Sequence, residues 1–210
     1  MTIGKYLFFE SRISYILQIL PFVIIVGLTF WIIRGKMLKR KGLYRNGFVK
    51  ETFLLLFVCY ITGLLMLVAT PANFWSLIWF RLIYGYSGGE ISPLFSGELN
   101  FIPSIFRYIT GELTGGGWII FMFLGNILLF LPLGFLLPIV WNKKSFANYI
   151  CAGIITSVAL ELIQPIMGRS FDIDDLITNT IGFIIGYLLY IICDNFCKRK
   201  CRKNMDRKSE

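Results

Sequence analysis

Residues 118–141 read WIIFMFLGNILLFLPLGFLLPIVW and contain no charged side chain. At about 1.5 Å of rise per helical residue, a run of this length crosses the ~30 Å hydrocarbon core of a bilayer. Four similar runs occupy residues 13–33, 52–69, 146–164 and 176–193. Inside a membrane only helices and closed barrels satisfy their backbone, and these runs lack the alternating pattern of barrel strands. The sequence therefore predicts an all-α fold, a polytopic bundle of about five transmembrane helices.

The composition also indicates a membrane protein. Apolar residues make up 56% and aromatic residues 17% of the chain, and the mean hydropathy is +0.70. A water-soluble domain has a smaller apolar share and would expose the excess to solvent. Glu10 and Ser11 precede the first run, and no small-residue cleavage site follows it. We therefore expect this run to remain as a spanning helix rather than act as a cleaved signal.

Basic residues are concentrated in three segments. The 21 Lys and Arg residues outnumber the 12 Asp and Glu residues, and most of them lie in 34–50, 142–145 and 198–208. Because cytoplasmic loops of membrane proteins are rich in Lys and Arg, these segments are predicted to lie inside the cell. The N-terminus is then outside and the C-terminus inside, in a multi-pass protein of the bacterial cell membrane. We expect the basic tail to contact membrane lipids and not nucleic acid.

The cysteines give no sign of a metal or redox site. The chain has five of them, no C-x-x-C pair and no histidine that could complete a zinc site. Cys193, Cys197 and Cys201 recur every four residues, a spacing that could serve acylation but is more often a set of small residues near lipid. No catalytic triad, P-loop or dinucleotide-binding motif occurs, and we expect no cofactor.

The stretch 71–117 is the longest one between predicted spans and is rich in aromatic residues. Aromatic side chains favour the headgroup boundary, so we expect this stretch to lie on the membrane. Residues 74–86 and 99–109 are predicted to form short interfacial or re-entrant helices, separated by the glycine-rich residues 85–89. Three glycines at 115–117 are predicted to form a hinge into the third span.

Polar residues share one face of each of the last two spans. The fourth span carries Gly153, Ser157, Glu161 and Gln164, and the fifth carries Asp175, Asn179, Gly182 and Gly186. Steps of three and four place each set on one helical face, with small residues below and polar residues above. We expect the small residues to allow close helix contact and the polar residues to face one another near the outer surface.

These polar residues belong to a larger predicted constellation. The connector between the two spans contributes an arginine and three aspartates, the third span contributes an asparagine, and the aromatic stretch contributes a second arginine. Ionisable groups near a membrane interior are costly and usually face a cavity or a partner, which makes them candidates for a functional site. The full set is Arg81, Asn126, Glu161, Gln164, Arg169, Asp172, Asp174, Asp175 and Asn179.

Three interpretations of this constellation are open. In a structural one, Asp174 or Asp175 caps the fifth helix and Arg169 pairs with Glu161 or Asp172. In a catalytic one, Glu161 is a general acid or base, Asp172, Asp174 and Asp175 hold a divalent ion, and the arginines clamp a phosphate. In a binding one, the pocket recognises a lipid headgroup or a lipid-linked molecule of the outer leaflet without chemistry.

The same residues carry a resemblance to a known family. The matching elements are Thr70-Pro71 with Phe74, the Asn-x-x-Pro element 100–103, NILLFLPLGF at 126–135, ELIQ at 161–164, and Arg169 with the block 172–182. Together they resemble the VanZ-like family of small bacterial membrane proteins. Ser104 and Phe183 depart from the family pattern, and neither departure removes a polar member.

The resemblance implies both an organisation and a role. It implies a VanZ-like membrane domain at 51–195, while the apolar runs and the basic residues predict a first transmembrane helix with a basic cytoplasmic loop at 1–50 and a basic cytoplasmic tail at 196–210, both outside the shared core. It implies reduced susceptibility to glycopeptide and lipoglycopeptide antibiotics of the teicoplanin type, whose target is a lipid-linked cell-wall precursor. Partners would be membrane lipids together with that precursor or the antibiotic, and Asn100 joins the candidate binding residues.

Two other roles stay open beside resistance through binding. One is a metal-assisted membrane enzyme acting on a lipid-linked phosphate or a peptidoglycan precursor, and the other is a structural partner of another membrane protein.

Overall fold

The computed structural model describes residues 3–40, 47–68, 70–71, 74, 77–78, 81–82, 85, 93–112, 116–141 and 145–206. Its helices are α1 (Ile3–Arg40), α2 (Phe48–Val68), α3 (Ser104–Ile109), α4 (Gly116–Val140), α5 (Phe146–Ile163) and α6 (Ile173–Asp206). A 3-10 turn at Pro165–Met167 and two strands, β1 (Leu99–Asn100) and β2 (Phe171–Asp172), complete the described elements.

The prediction of an all-helical bundle is confirmed, with five helices in the described part of the chain that are long and apolar enough to span a membrane. Within the described ranges, the segments long and apolar enough to cross a membrane are Ile19–Arg40, Val49–Val68, Ile119–Val140, Phe146–Met167 and Ile173–Lys200. The first and last of them extend further than the apolar runs because basic residues continue each helix beyond its apolar part. Lys and Arg are good helix formers, so nothing ends the helix where the apolar run ends.

The predicted helix at 99–109 is wrong in its first half. Leu99 and Asn100 are extended and pair in parallel with Phe171 and Asp172, and helix α3 begins only at Ser104. Pro103 accounts for the late start, because the residue before a proline is disfavoured in helical conformation. Of the predicted helix 74–86, the described residues 74, 77–78 and 81–82 are helical and residue 85 is not, and the others lie outside the described part. Of the predicted hinge, residues 116 and 117 already belong to α4.

Helices α4 and α6 touch through their backbones. A Cβ atom at Gly182 would overlap the main chain at Ile127, and one at Gly186 would overlap the main chain at Leu131. Gly134 on α4 lies in the same way against the backbone of Phe183. The contacts advance along both helices in the same direction, so α4 and α6 run parallel. Small residues allow this close approach in membrane helix pairs, where packing and not hydrophobic burial drives association.

Phe183 occupies the space between α6 and α5. Its ring is 1% exposed and lies against Gly153, where a Cβ would overlap the ring. Around it pack core residues of α2, α4 and α5, among them Leu64, Phe130 and Leu160. The expectation that the small residues allow close helix contact is confirmed for Gly182 and Gly186, and their partner is α4 rather than α5. They face α4, and Phe183 fills the wider gap to α5.

An ion pair joins α1 to α2 at the ends of these helices that carry the basic residues. Arg34 Nε donates to Glu51 Oε2 at 2.6 Å and Arg34 Nη2 donates to Glu51 Oε1 at 3.1 Å, while the Glu51 side chain is only 2% exposed. The two parallel hydrogen bonds pair the opposite charges and also hold the two helices in one relative position. Arg34 thus has a specific packing partner beyond its predicted part in a basic cytoplasmic segment.

The α4–α6 contact predicts a large difference between two glycines. Gly182→Leu should lower the free energy of unfolding by about 1–3 kcal/mol or prevent folding, because the new side chain must displace the backbone of α4. Gly125→Leu is the matched control, since a Cβ there meets no atom within 4 Å. Thermal unfolding in detergent, followed by size-exclusion chromatography, measures both variants. Equal stability of the two would contradict the described contact.

The α1–α2 ion pair predicts non-additive mutations. Arg34→Met leaves the buried Glu51 carboxylate without its arginine and should destabilise by about 2 kcal/mol, less than a fully buried pair because Arg34 is 30% exposed. The double variant Arg34→Met, Glu51→Met should recover most of this loss, since no buried charge remains. A double-mutant cycle of unfolding free energies checks the coupling, and simple additivity would be the contrary result.

Candidate functional site

A cavity of about 220 Å³ lies where α2, α4, α5 and α6 meet, near the last turns of α2 and α5 and the first turns of α6. The apolar part of its wall includes Leu67 and Val68 of α2 and Phe130 of α4. Its polar lining residues are Asn126, Glu161, Gln164, Arg169, Asp175 and Asn179. Six members of the predicted constellation therefore line one cavity.

Glu161 is the most buried of the ionisable side chains in this lining, with 1% exposure. Its Oε1 atom accepts hydrogen bonds from Gln164 Nε2 at 3.0 Å and from Asn179 Nδ2 at 3.3 Å. Gln164 reaches it because residues three apart lie on one helical face, and Asn179 reaches it from the facing helix. The polar faces of α5 and α6 thus meet at this carboxylate.

Three buried polar atoms in this region have no hydrogen-bond partner among the described residues. They are Glu161 Oε2, Asn179 Oδ1 and Ser157 Oγ, the last from one turn below Glu161 on α5. Buried polar groups are nearly always hydrogen-bonded, and an unpaired one costs about 1–3 kcal/mol. Two of the three atoms belong to side chains that line the cavity, Glu161 and Asn179, and unpaired buried atoms beside a cavity are typical of a site that a ligand completes.

Asp175 is held from the opposite side of the cavity. Its Oδ1 atom accepts a hydrogen bond of 2.5 Å from Asn126 Nδ2, which connects α6 to α4. Asn126 is half-buried near the middle of an apolar helix, a position where an amide needs a polar partner. The predicted contact of Asn126 with the polar cluster is confirmed.

Arg169 has a different partner from the two predicted. Its Nη1 atom donates to the backbone carbonyl of Leu67 at 2.9 Å, and no ion pair with Glu161 or Asp172 forms within the described ranges. Leu67 lies in the last turn of α2, and residue 71, four positions on, is a proline without an N–H. The Leu67 carbonyl therefore lacks an intrahelical donor, and the arginine supplies one.

Asp172 and Asp174 hold the chain around the cavity and do not line it. Asp172 Oδ1 accepts from the Asp174 amide at 2.9 Å and caps α6, and Asp172 Oδ2 accepts from Asn100 Nδ2 at 3.2 Å. Asp174 Oδ2 accepts from the Ser104 amide at 2.6 Å, at the start of α3. The predicted cap, Asp174 or Asp175, is therefore wrong by two or three residues. Burial raises the pKa of Asp172, and its hydrogen bonds to Asp174 and Asn100 oppose the rise.

The segment before α3 is joined to the connector by its backbone, which the sequence did not indicate. Phe95 N donates to the Ile166 carbonyl at 3.0 Å, and Phe171 N donates to the Glu98 carbonyl at 2.8 Å. Gly97 lies so close to the Arg169 carbonyl that a Cβ would overlap it. In the sequence, a glycine within an extended segment can indicate close contact with another backbone. It does not indicate which part of the chain makes that contact.

The remaining predicted residues are not gathered at the cavity. Arg81 is exposed and is not among the lining residues, and Asn100 contacts Asp172 outside the lining. Of the three aspartates, Asp175 alone lines the cavity. In the part of the chain that the structure describes, no group of three or more His, Cys, Asp or Glu side chains is arranged to hold a metal ion.

Comparison with known proteins gives one partial relative and one family. A stretch of 83 residues is 32% identical to Protein VanZ of Enterococcus faecium and covers 39% of this chain and 50% of that protein. The match thus spans about half the length of this curated relative, and no solved structure matches the chain. The VanZ/LLP1 family matches residues 22–194, from α1 into α6 but short of its basic end, and extends beyond the motifs at 70–190. Because this match includes most of the sequence, the chain belongs to the VanZ/LLP1 family.

Proposed function

We propose that this multi-pass protein of the bacterial cell membrane binds the polar headgroup of an envelope lipid or lipid-linked cell-wall precursor. Through that binding it lowers susceptibility to glycopeptide and lipoglycopeptide antibiotics of the teicoplanin type. The observation that carries the binding part is the cavity around Glu161, with a buried carboxylate oxygen that no described residue satisfies. The antibiotic part rests on membership of the VanZ/LLP1 family.

The charge distribution supports a cavity that opens toward the outside of the cell. Basic residues end α1 and α6, including Lys39 and Arg40 on the first and Lys198 on the last. The cavity lies at the opposite ends of the spans, beside the first turns of α6. By the positive-inside tendency the basic ends face the cytoplasm, which makes the cavity ends external. Lipid-linked cell-wall precursors are displayed on that side.

The size of the cavity supports a headgroup and not a whole antibiotic as its occupant. Pockets for drug-sized ligands measure about 300–1,000 Å³, and this one measures about 220 Å³. A phosphate ester or an amino group with its neighbours fits such a space, whereas a glycopeptide does not. The protein would then act on the membrane component near which the antibiotic works.

The unpaired atoms favour binding over a purely structural role. If a buried polar cluster served only stability, every donor and acceptor in it should be paired. A partly satisfied buried network stabilises a fold less than an apolar core does. Here Asp172 and Asp174 accept hydrogen bonds that hold the connector in place, while Glu161 and Asn179 each keep an acceptor without a partner among the described residues. The two aspartates thus stabilise the structure around the cavity, and Glu161 and Asn179 are available to bind a ligand.

Glu161→Gln tests this proposal because it separates binding from folding. Glutamine has the same shape, keeps an oxygen for Gln164 and Asn179, and replaces the unpaired carboxylate oxygen by an amide. Removing an unsatisfied buried charge should leave the unfolding temperature equal or higher. We expect normal expression and at least a twofold loss of the protection against teicoplanin, measured as growth inhibition in a susceptible host.

Glu112→Gln is the matched control, since it removes an exposed carboxylate outside the cavity whose contact to Arg107 is long, 3.8 Å. It should protect the host as well as the unchanged protein does. Full protection by Glu161→Gln would refute a role for this carboxylate in binding. Loss of folding by the same variant would instead assign it to stability.

A further inference from the structure

We infer that the cavity selects a lipid headgroup that carries a primary ammonium group beside a phosphate, with the ammonium at Glu161 and Asn179 and the phosphate at Arg169. This inference rests on the proposed function and names the class of its ligand. It follows from which atoms of the cavity are unpaired, from the sign of its charges and from its size.

The unpaired atoms of the two lining side chains are both acceptors. Glu161 Oε1 accepts from two side-chain amides, whereas Oε2 has no hydrogen-bond partner among the described residues. The orientation of Asn179 is fixed because its Nδ2 must face the carboxylate, and its Oδ1 is therefore the atom without a partner. Two buried acceptors require hydrogen-bond donors from the ligand. A primary ammonium group offers three N–H donors and a charge opposite to that of the carboxylate.

The charges of the lining are separated in a way that suits a dipolar ligand. Two carboxylates, Glu161 and Asp175, and one guanidinium, Arg169, line the same small space. Among the described residues the guanidinium forms no ion pair with either carboxylate and uses Nη1 for the Leu67 carbonyl. Its other N–H groups suit a phosphate, and an ammonium beside Glu161 balances the remaining negative charge. An anionic headgroup without an amine would leave both acceptors unpaired and would be repelled by the carboxylates.

The size and surroundings of the cavity favour a lipid over a bare cation. A volume of about 220 Å³ far exceeds that of one ion, and the acidic groups described do not form a metal-binding set. Leu162 follows Glu161 on α5 and is 58% exposed, and Leu128 on α4 is 64% exposed. In a membrane these side chains face acyl chains, so the cavity lies beside the hydrocarbon to which a headgroup is attached.

The test compares lipids that differ only in the headgroup. The full-length protein in detergent is titrated with phosphatidylethanolamine, phosphatidylcholine and phosphatidylglycerol of identical acyl chains, and binding is read by native mass spectrometry and by the shift in unfolding temperature. Phosphatidylcholine has the same charges as phosphatidylethanolamine but no N–H donor. We expect phosphatidylethanolamine to bind about tenfold more tightly than either other lipid. The other two lipids cannot form the ammonium hydrogen bonds to the Glu161 carboxylate, and the loss of such bonds lowers affinity by about this factor.

The variants assign the preference to the cavity. Glu161→Gln should reduce the preference for phosphatidylethanolamine to less than threefold, while Glu112→Gln should keep it. Glycerophosphoethanolamine, which has the headgroup without acyl chains, should bind at least tenfold more weakly than the lipid. Equal affinity for the chain-free compound would overturn the assignment to a lipid.

The outcomes also separate this inference from the proposed function. Equal binding of the ethanolamine and choline lipids, or preferred binding of phosphatidylglycerol, would overturn the selection of an ammonium group. The protein would still bind an envelope lipid in that case. If no lipid with any headgroup stabilised the folded protein, the proposed function itself would fail, and this inference with it.

Discussion

The backbone contact between α4 and α6 is the constraint on which the site depends. Glycines at 134, 182 and 186 let two parallel helices approach until their main chains touch. This approach fixes the height of Asn126 relative to Asp175 and closes one side of the cavity. In hydrocarbon, where apolar surfaces gain nothing by leaving lipid for protein, such close packing is what orders the helices. Phe183 then sets the wider spacing to α5, at which Glu161 and Asn179 can meet.

The connector between α5 and α6 shows how backbone groups at membrane helix ends are satisfied. Pro71 deprives the Leu67 carbonyl of its usual donor, and Arg169 provides a replacement from far along the chain. Asp172 caps α6, and Asp174 accepts from the first amide of α3. Each of these groups would otherwise be unpaired near the hydrocarbon, where the cost is several kcal/mol. Charged side chains that resemble a catalytic cluster in sequence are in large part used for this purpose.

The residues left over from that structural work define the chemistry of the cavity. Glu161 and Asn179 retain free acceptors, and Arg169 retains free donors, within one space smaller than a drug-binding pocket. Charged groups of both signs around one cavity suit recognition of a ligand. When the ligand loses its hydration water on binding, these groups provide oriented hydrogen-bond partners in its place.

The sequence by itself determined the five candidate spans, because the length of an apolar segment is a local property that must match the thickness of the bilayer. It also determined that Glu161 and Gln164 share a face, since helical periodicity is local as well. Tertiary structure alone decided that Arg169 binds a carbonyl of α2, that Asp172 and not Asp174 caps α6, and that β1 pairs with β2. Those choices are made between groups up to a hundred residues apart that compete for the same few donors and acceptors. No local pattern encodes the outcome of such a competition, because it depends on how closely the helices pack.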